Sequence, residues 1–200
     1  MKSQQNMLII GDSHGALKDG WVFHLMQLRP GDKFINLSIS GNTIGFNNLG
    51  KDTLNTLVNI SSYIQKGQIK VGKIDKILIL LGTNDCKNVF KDSFLLSVSR
   101  FESIIQIIHN RFSESASPEI IYITPPPFDV DSKLSEKYKG GNERLKILIP
   151  ELMNVAKREK IKTINLNKML GNDVVNYITD GVHYNNDGYK LFARIINRNL

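Results

Sequence analysis

Four short segments of the chain carry residue types that can do chemistry together. They are Gly11-Asp12-Ser13-His14, SGNT at 40–43, GTND at 82–85 and Asp180-Gly181-Val182-His183. The last puts a carboxylate and an imidazole three residues apart in a stretch that reads as loop. The first puts a serine in a tight turn just after an apolar run. A hydrolytic serine needs that set: a nucleophile, a base to take its proton and a carboxylate to orient the base. SGNT and GTND add backbone and side-chain amides of the kind that hold a developing oxyanion. Each segment alone has a plainer reading. Gly-Asp-Ser also fits a turn with a helix-capping serine, and Asn84 or Asp85 can bond to nearby backbone. Four such turns in this order, each after a strand, favour the chemical reading.

The elements that must position them are visible as apolar runs of strand length at 7–10, 33–39, 76–81, 119–124 and 161–166. Several are near-continuous and rich in β-branched residues, as strands covered on both faces tend to be. Segments of helical spacing lie between them. The clearest is 92–112, with Phe94, Leu95, Val98, Phe101, Ile104, Ile105 and Ile108 on one stripe. Others are expected at 51–66, at 141–160, where Pro150 either kinks or splits the helix, and at 186–198. Pro125-Pro126-Pro127 follows the fourth strand, and 128–141 is the expected long loop. Strands alternating with helices predict one parallel sheet with helices on both faces. In such sheets ligands bind outside the carboxyl ends of the strands. Ser13, Gly41 and Asn84 each follow a strand, and Asp180 and His183 follow the last strand after a short segment. All five are therefore expected at one edge.

The 200 residues suit a single domain spanning 1–200, and 41% hydrophobic content supports one core. The single cysteine, Cys86, excludes an internal disulfide framework. No apolar run approaches the roughly 20 residues of a membrane span. The polar start, MKSQQN, followed by only four apolar residues, does not read as a signal peptide. With the lone thiol, this points to a cytoplasmic location unless a leader has been removed. The formal charge of +7 comes from scattered lysines, densest at 157–162 and 190–198. That pattern reads as a solvated basic surface rather than a nucleic-acid site.

With the motifs in this order, the chain resembles the SGNH hydrolases, or GDSL-type esterases, which are marked by Ser, Gly, Asn and His in four blocks. Here the blocks are GDS at 11–13, NLSISGNT at 36–43, GTND at 82–85 and DGVH at 180–183. LGTNDCKNVF at 81–90, TPPPF at 124–128 and KYKGGNER at 137–144 look most like the aryl esterase/perhydrolase and carbohydrate acetyl-esterase branch. NLSISGNT also looks like the thioesterase/lysophospholipase branch. The resemblance implies a three-layer α/β/α sandwich around a five-stranded parallel sheet, flavodoxin-like in class. It departs at His14-Gly15, where members often carry an apolar residue and then Thr, and at Ser38, where many have glycine.

The expected reaction is hydrolysis of a short-chain acyl ester, acetyl by preference, on a small-molecule or carbohydrate substrate, without metal or cofactor. Ser13 is the nucleophile, His183 the general base and Asp180 its orienting carboxylate. The Ser13 and Gly41 N–H groups and the Asn84 amide are the expected oxyanion hole. Glycine suits close approach of substrate to main chain, and the asparagine NH₂ donates without a competing charge. Asp12 and Asp85 are read as supports bonded to loop backbone.

Lysophospholipase or thioesterase activity is the alternative within the family. Outside it stand a metal-dependent phosphoesterase on Asp12, Asp85, Asp180 and His183, and a binding module without catalysis. The aryl esterase-like branch includes oligomers, so the resemblance allows a homo-oligomer. His14 and Trp21 are each open between lining the pocket and packing. His24 and His109 are read as surface or core residues on helices, and Cys86 as a buried structural thiol.

Overall fold

The computed structural model describes residues 4–113 and 117–200. The first three residues of the MKSQQN start lie outside this range. Five parallel strands form one sheet: β1 (Asn6–Gly11), β2 (Lys33–Asn36), β3 (Lys76–Leu80), β4 (Glu119–Ile123) and β5 (Lys162–Ile164). Their spatial order is β2-β1-β3-β4-β5. The helices are α1 (Ser13–Ala16), α2 (Trp21–Leu28), α3 (Thr56–Val71), α4 (Leu96–Arg111), α5 (Gly141–Arg158), α6 (Leu166–Leu170) and α7 (Asn186–Arg198).

Strand periodicity builds two cores, one on each side of the sheet. Leu8 and Ile10, Ile77 and Ile79, and Ile120 and Tyr122 pack with α3, α4 and α5. The alternate residues, Met7 and Ile9, Leu78 and Leu80, and Ile121 and Ile123, pack with α2, α6 and α7. Every residue of β3 is buried, which is why its sequence is almost unbroken apolar. Lys76, at its buried start, is paired with the carboxylate of Glu119 on β4.

Several element bounds differ from those expected. β2 ends at Asn36, whose side chain turns to local work: it accepts from the Ser38 N–H and donates to the Gly15 carbonyl. β5 ends where Asn165 caps α6 through the Lys168 N–H. The helix expected at 51–66 begins at Thr56, after two 3-10 turns, because Asn55 caps it through the Val58 N–H. It runs on to Val71 and stops at Gly72, φ +71°. The stripe at 92–112 is helical only from Leu96, since 91–95 form turns that follow the 3-10 turn at 88–90. α5 runs through Pro150 without splitting. The loop expected at 128–141 is present with short 3-10 turns, but it runs from 124 to 140, because β4 ends at Ile123 and α5 begins at Gly141. Among the described residues, no helix is long and apolar enough to cross a membrane.

Candidate active site

The strand order reverses direction between β1 and β3, and such a switch point opens a crevice at the carboxyl edge. Ser13 follows β1 and Asn84 follows β3, so the fold puts both at that crevice. Asp12 caps α1 by accepting from the His14 N–H at 3.0 Å, and Ser13 opens the helix. The Ser13 Oγ lies 2.8 Å from His183 Nε2, and His183 Nδ1 lies 2.7 Å from Asp180 Oδ2.

Asp180 and His183 hold each other through local bonds. The N–H groups of Val182 and His183 donate to Asp180 Oδ1 at 3.0 and 2.7 Å. The loop is closed by the Thr179 N–H bond to the His183 carbonyl and tied to the segment after β4 by the Asp129 N–H bond to the Gly181 carbonyl. Burial works against ionisation of Asp180. The His183 N–H, the His183 ring and the Val182 N–H outweigh it and bring the carboxyl down to about 2. The group facing the imidazole is therefore a carboxylate at neutral pH.

Gly41 sits at φ +87°, a conformation costly for other residues, and its carbonyl is held by the Asn48 amide at 2.6 Å. The Asn84 amide is fixed at both ends. Its Nδ2 donates to the Asn42 carbonyl at 3.0 Å, and its Oδ1 accepts from the Tyr138 hydroxyl at 2.9 Å. This orientation leaves the second amide proton unspent. Ser13, Gly41 and Asn84 line one cleft of about 520 Å³ together with Asp180 and His183. A larger depression, near 820 Å³, lies at the opposite end of the sheet. Its Arg29 is already bonded to Asp32, Asn197 and Gln5.

Asp85 is wholly buried beneath the cleft. Its carboxylate accepts from the Ile44 N–H and from the Ser97 hydroxyl at 2.7 Å, tying the SGNT loop to β3 and α4. Burial pushes its pKa up to about 6 against these donors. Burial likewise pushes Asp12 up to about 7, against the His14 N–H bond. Both carboxylates thus bond to backbone. Among the described residues, no three acidic, histidine or cysteine side chains are grouped to hold a metal ion.

The profile of the GDSL-like lipase/acylhydrolase family matches residues 9–191. The chain belongs to that family, and is a carboxylic ester hydrolase. Its fold is shared by solved structures that it resembles at low identity. One is a carbohydrate acetylesterase family member from Sinorhizobium meliloti, at 19% identity and TM-score 0.74, covering 97% of this chain and 96% of that one. Another is an inhibitor-bound aryl esterase from M. smegmatis, at 18% and 0.71, covering 98% and 97%. A third is a lipase/acylhydrolase from Enterococcus faecalis, at 22% and 0.69, covering 98% and 95%. No curated protein matches the sequence.

Around this candidate site, packing decides the residues that sequence left open. Trp21 is fully buried in the core beside α7 and does not line the cleft. His14 is also fully buried, behind His183, with ring centroids 5.6 Å apart. Burial and then the neighbouring His183 bring its pKa down to about 3, and its neutral ring meets the Tyr189 hydroxyl at 3.1 Å. His24 is buried on α2 and His109 exposed on α4. Cys86 is buried, and burial pushes its thiol up. Sequence reasoning missed Tyr138, Asn48 and Lys87. Tyr138 and Lys87 stand inside motifs that carried the family resemblance, but nothing local to them signals contact with Asn84 or the cleft.

Proposed function

We propose that this esterase removes short acyl groups, acetyl foremost, from alcohol oxygens through an acyl-enzyme on Ser13. The observation that carries the reading is the continuous contact from Ser13 Oγ through the His183 ring to Asp180, at 2.8 and 2.7 Å. His183 Nε2 takes the Ser13 proton as Oγ attacks the ester carbonyl, and Asp180 stabilises the resulting imidazolium. The tetrahedral oxyanion is held by the Ser13 and Gly41 N–H groups and the spare Asn84 amide proton. The imidazolium then protonates the leaving alcohol. In the second half His183 activates water, which cleaves the acyl-enzyme and restores Ser13.

Support for a short acyl group comes from the shape of the cleft. Leu17 and Leu49 are its exposed apolar wall, a small surface for a long chain. Leu49 is held at φ +57°, a strained conformation of the kind that clusters at functional sites. The likeness to a structure named as a carbohydrate acetylesterase agrees with an acetylated sugar as substrate.

Hydrolysis of p-nitrophenyl esters from acetate to decanoate, with Ser13→Ala in parallel, tests this reading. The expected result is highest kcat/KM on acetate and a loss of kcat on the order of 10³-fold or more in the mutant. Full activity in Ser13→Ala removes the acyl-enzyme, and a maximum at long chains moves the assignment to lysophospholipids or thioesters.

A further inference from the structure

The cleft holds an ammonium that the ester mechanism does not use. Lys87 lies just beyond the GTND turn, lines the same cleft as Ser13 and Asn84, and is only 3% exposed. Lysines buried to this degree are almost always paired. Lys76, 6% exposed, shows the ordinary solution in its contact with the Glu119 carboxylate. Among the described residues, no carboxylate forms an ion pair with Lys87. Its ammonium instead stands 5.9 Å from the centre of the Tyr138 ring. The ammonium of Lys137, which also lines the cleft, is 5.3 Å from that ring. Two cations therefore share one aromatic platform beside the nucleophile.

We infer that Lys87, helped by Lys137, binds an anionic group on the alcohol portion of the substrate, so that the preferred substrate is an acyl ester of an alcohol bearing a carboxylate or phosphate. The inference rests on the acetyl-ester reading, because an acetyl group has no room for a charge and leaves the alcohol as its only carrier. Acidic sugars and sugar phosphates both have this chemistry. An incoming anion would give the Lys87 ammonium, which faces the cleft, the partner that the protein does not supply, with Lys137 closing over it from the exposed side.

The electrostatics of the empty cleft agree. Burial, and then the like charge of Lys137, bring Lys87 down to about 8, while Asp85 and Asp12 oppose this from beneath. A bound anion relieves both unfavourable influences.

The test compares kcat/KM on phenyl acetate, 4-acetoxybenzoate and 4-acetoxyphenyl phosphate for the wild-type enzyme, Lys87→Met, Lys87→Arg, Lys137→Met and a control at the exposed Lys91, Lys91→Met. The wild type is expected to prefer the anionic esters over phenyl acetate. The anionic-to-neutral ratio is expected to fall roughly tenfold in Lys87→Met, less in Lys137→Met, and not in Lys91→Met. Lys87→Arg keeps the charge and should retain part of the preference. Which of the two anionic esters gains more distinguishes carboxylate from phosphate.

No preference in the wild type, or a ratio unchanged in Lys87→Met, overturns the inference. So does a preference found only on the acyl side, as p-nitrophenyl succinate over butyrate. If Lys87→Met does not fold, the wild-type ratio and Lys137→Met decide. Phenyl acetate hydrolysis that survives Ser13→Ala would instead sink the esterase mechanism, a result separable from the ratio. The 4-acetoxybenzoate preference should also decline as pH rises through about 8, where the free Lys87 loses its proton among Lys137, Tyr138, Asp85 and Asp12.

Discussion

The three aspartates around Ser13 divide the site into two halves built on opposite principles. Asp12 and Asp85 are wholly buried at the ends of β1 and β3, and burial raises their pKa values to about 7 and 6. Asp180 sits on the loop before α7 with its side chain 57% exposed, and its donors lower it to about 2. The first pair holds the main chain at His14 and Ile44, and Asp85 takes the Ser97 hydroxyl as well. The last points one oxygen at an imidazole whose side chain is itself 33% exposed. A carboxylate that must hold shape is worth burying, despite the desolvation cost. A carboxylate that must stay charged beside a developing imidazolium is better kept near water and supplied with N–H donors.

The strongest way to break this comparison is to remove a carboxylate from each half. Asp180→Asn keeps the size of the side chain but favours the wrong imidazole tautomer. It should lower kcat by about 10³–10⁴-fold, with little change in melting temperature, since most of the side chain is in solvent. Asp85→Ala should do the reverse. It leaves the Ile44 N–H and Ser97 hydroxyl buried without an acceptor and should cost about 1–3 kcal/mol of stability, seen as a melting point lower by several degrees. Turnover and thermal melts on the two variants check both halves at once. Equal effects on both readouts would dissolve the division.

A smaller effect tests how the proposed oxyanion amide is aimed. Asn84→Ala should cost about 10²–10³ in kcat with a smaller change in KM. Tyr138→Phe removes only the hydroxyl that fixes Asn84 Oδ1 and keeps the ring beneath Lys87. It should lower kcat about 2–10-fold, on neutral and anionic esters alike. A Tyr138→Phe loss as large as that of Asn84→Ala would mean that the hydroxyl itself meets the substrate.

The buried half was legible in sequence because strand ends dictate it. MLII and KILILL read as fully covered strands, and the turns after them had to reach one edge. The meeting of Ser13, Gly41, Asn84 and His183 at one edge followed from that geometry, as did the parallel sheet, and the family resemblance implied its five strands. What was not legible came from side chains that act across long separations. Tyr138 meets Asn84 over 54 residues and Asn48 holds Gly41 through a loop of irregular backbone. Neither contact has a period or a spacing. Lys87 read as one basic residue among many, and only burial without a carboxylate partner singles it out. Element starts were missed where a single asparagine, such as Asn55, decides the cap.

The subtlest prediction concerns Asp12, where a raised pKa becomes a dependence of stability on pH. Below its ordinary value of 3.8 the carboxyl is protonated in both folded and unfolded chains and contributes nothing to the difference. Between there and about 7 the unfolded chain ionises while the folded one keeps its proton, so stability falls as pH rises. Above about 7 the full penalty is present, on the order of 1–4 kcal/mol for a shift of this size. Asp12→Asn removes the titration but keeps a side-chain oxygen to accept from the His14 N–H. The variant's gain in melting temperature over wild type should therefore be small at pH 4 and grow up to about pH 7. A gain that is flat across that range would show that Asp12 is ionised in the folded protein throughout. Asp12 would then belong with Asp180 rather than with Asp85.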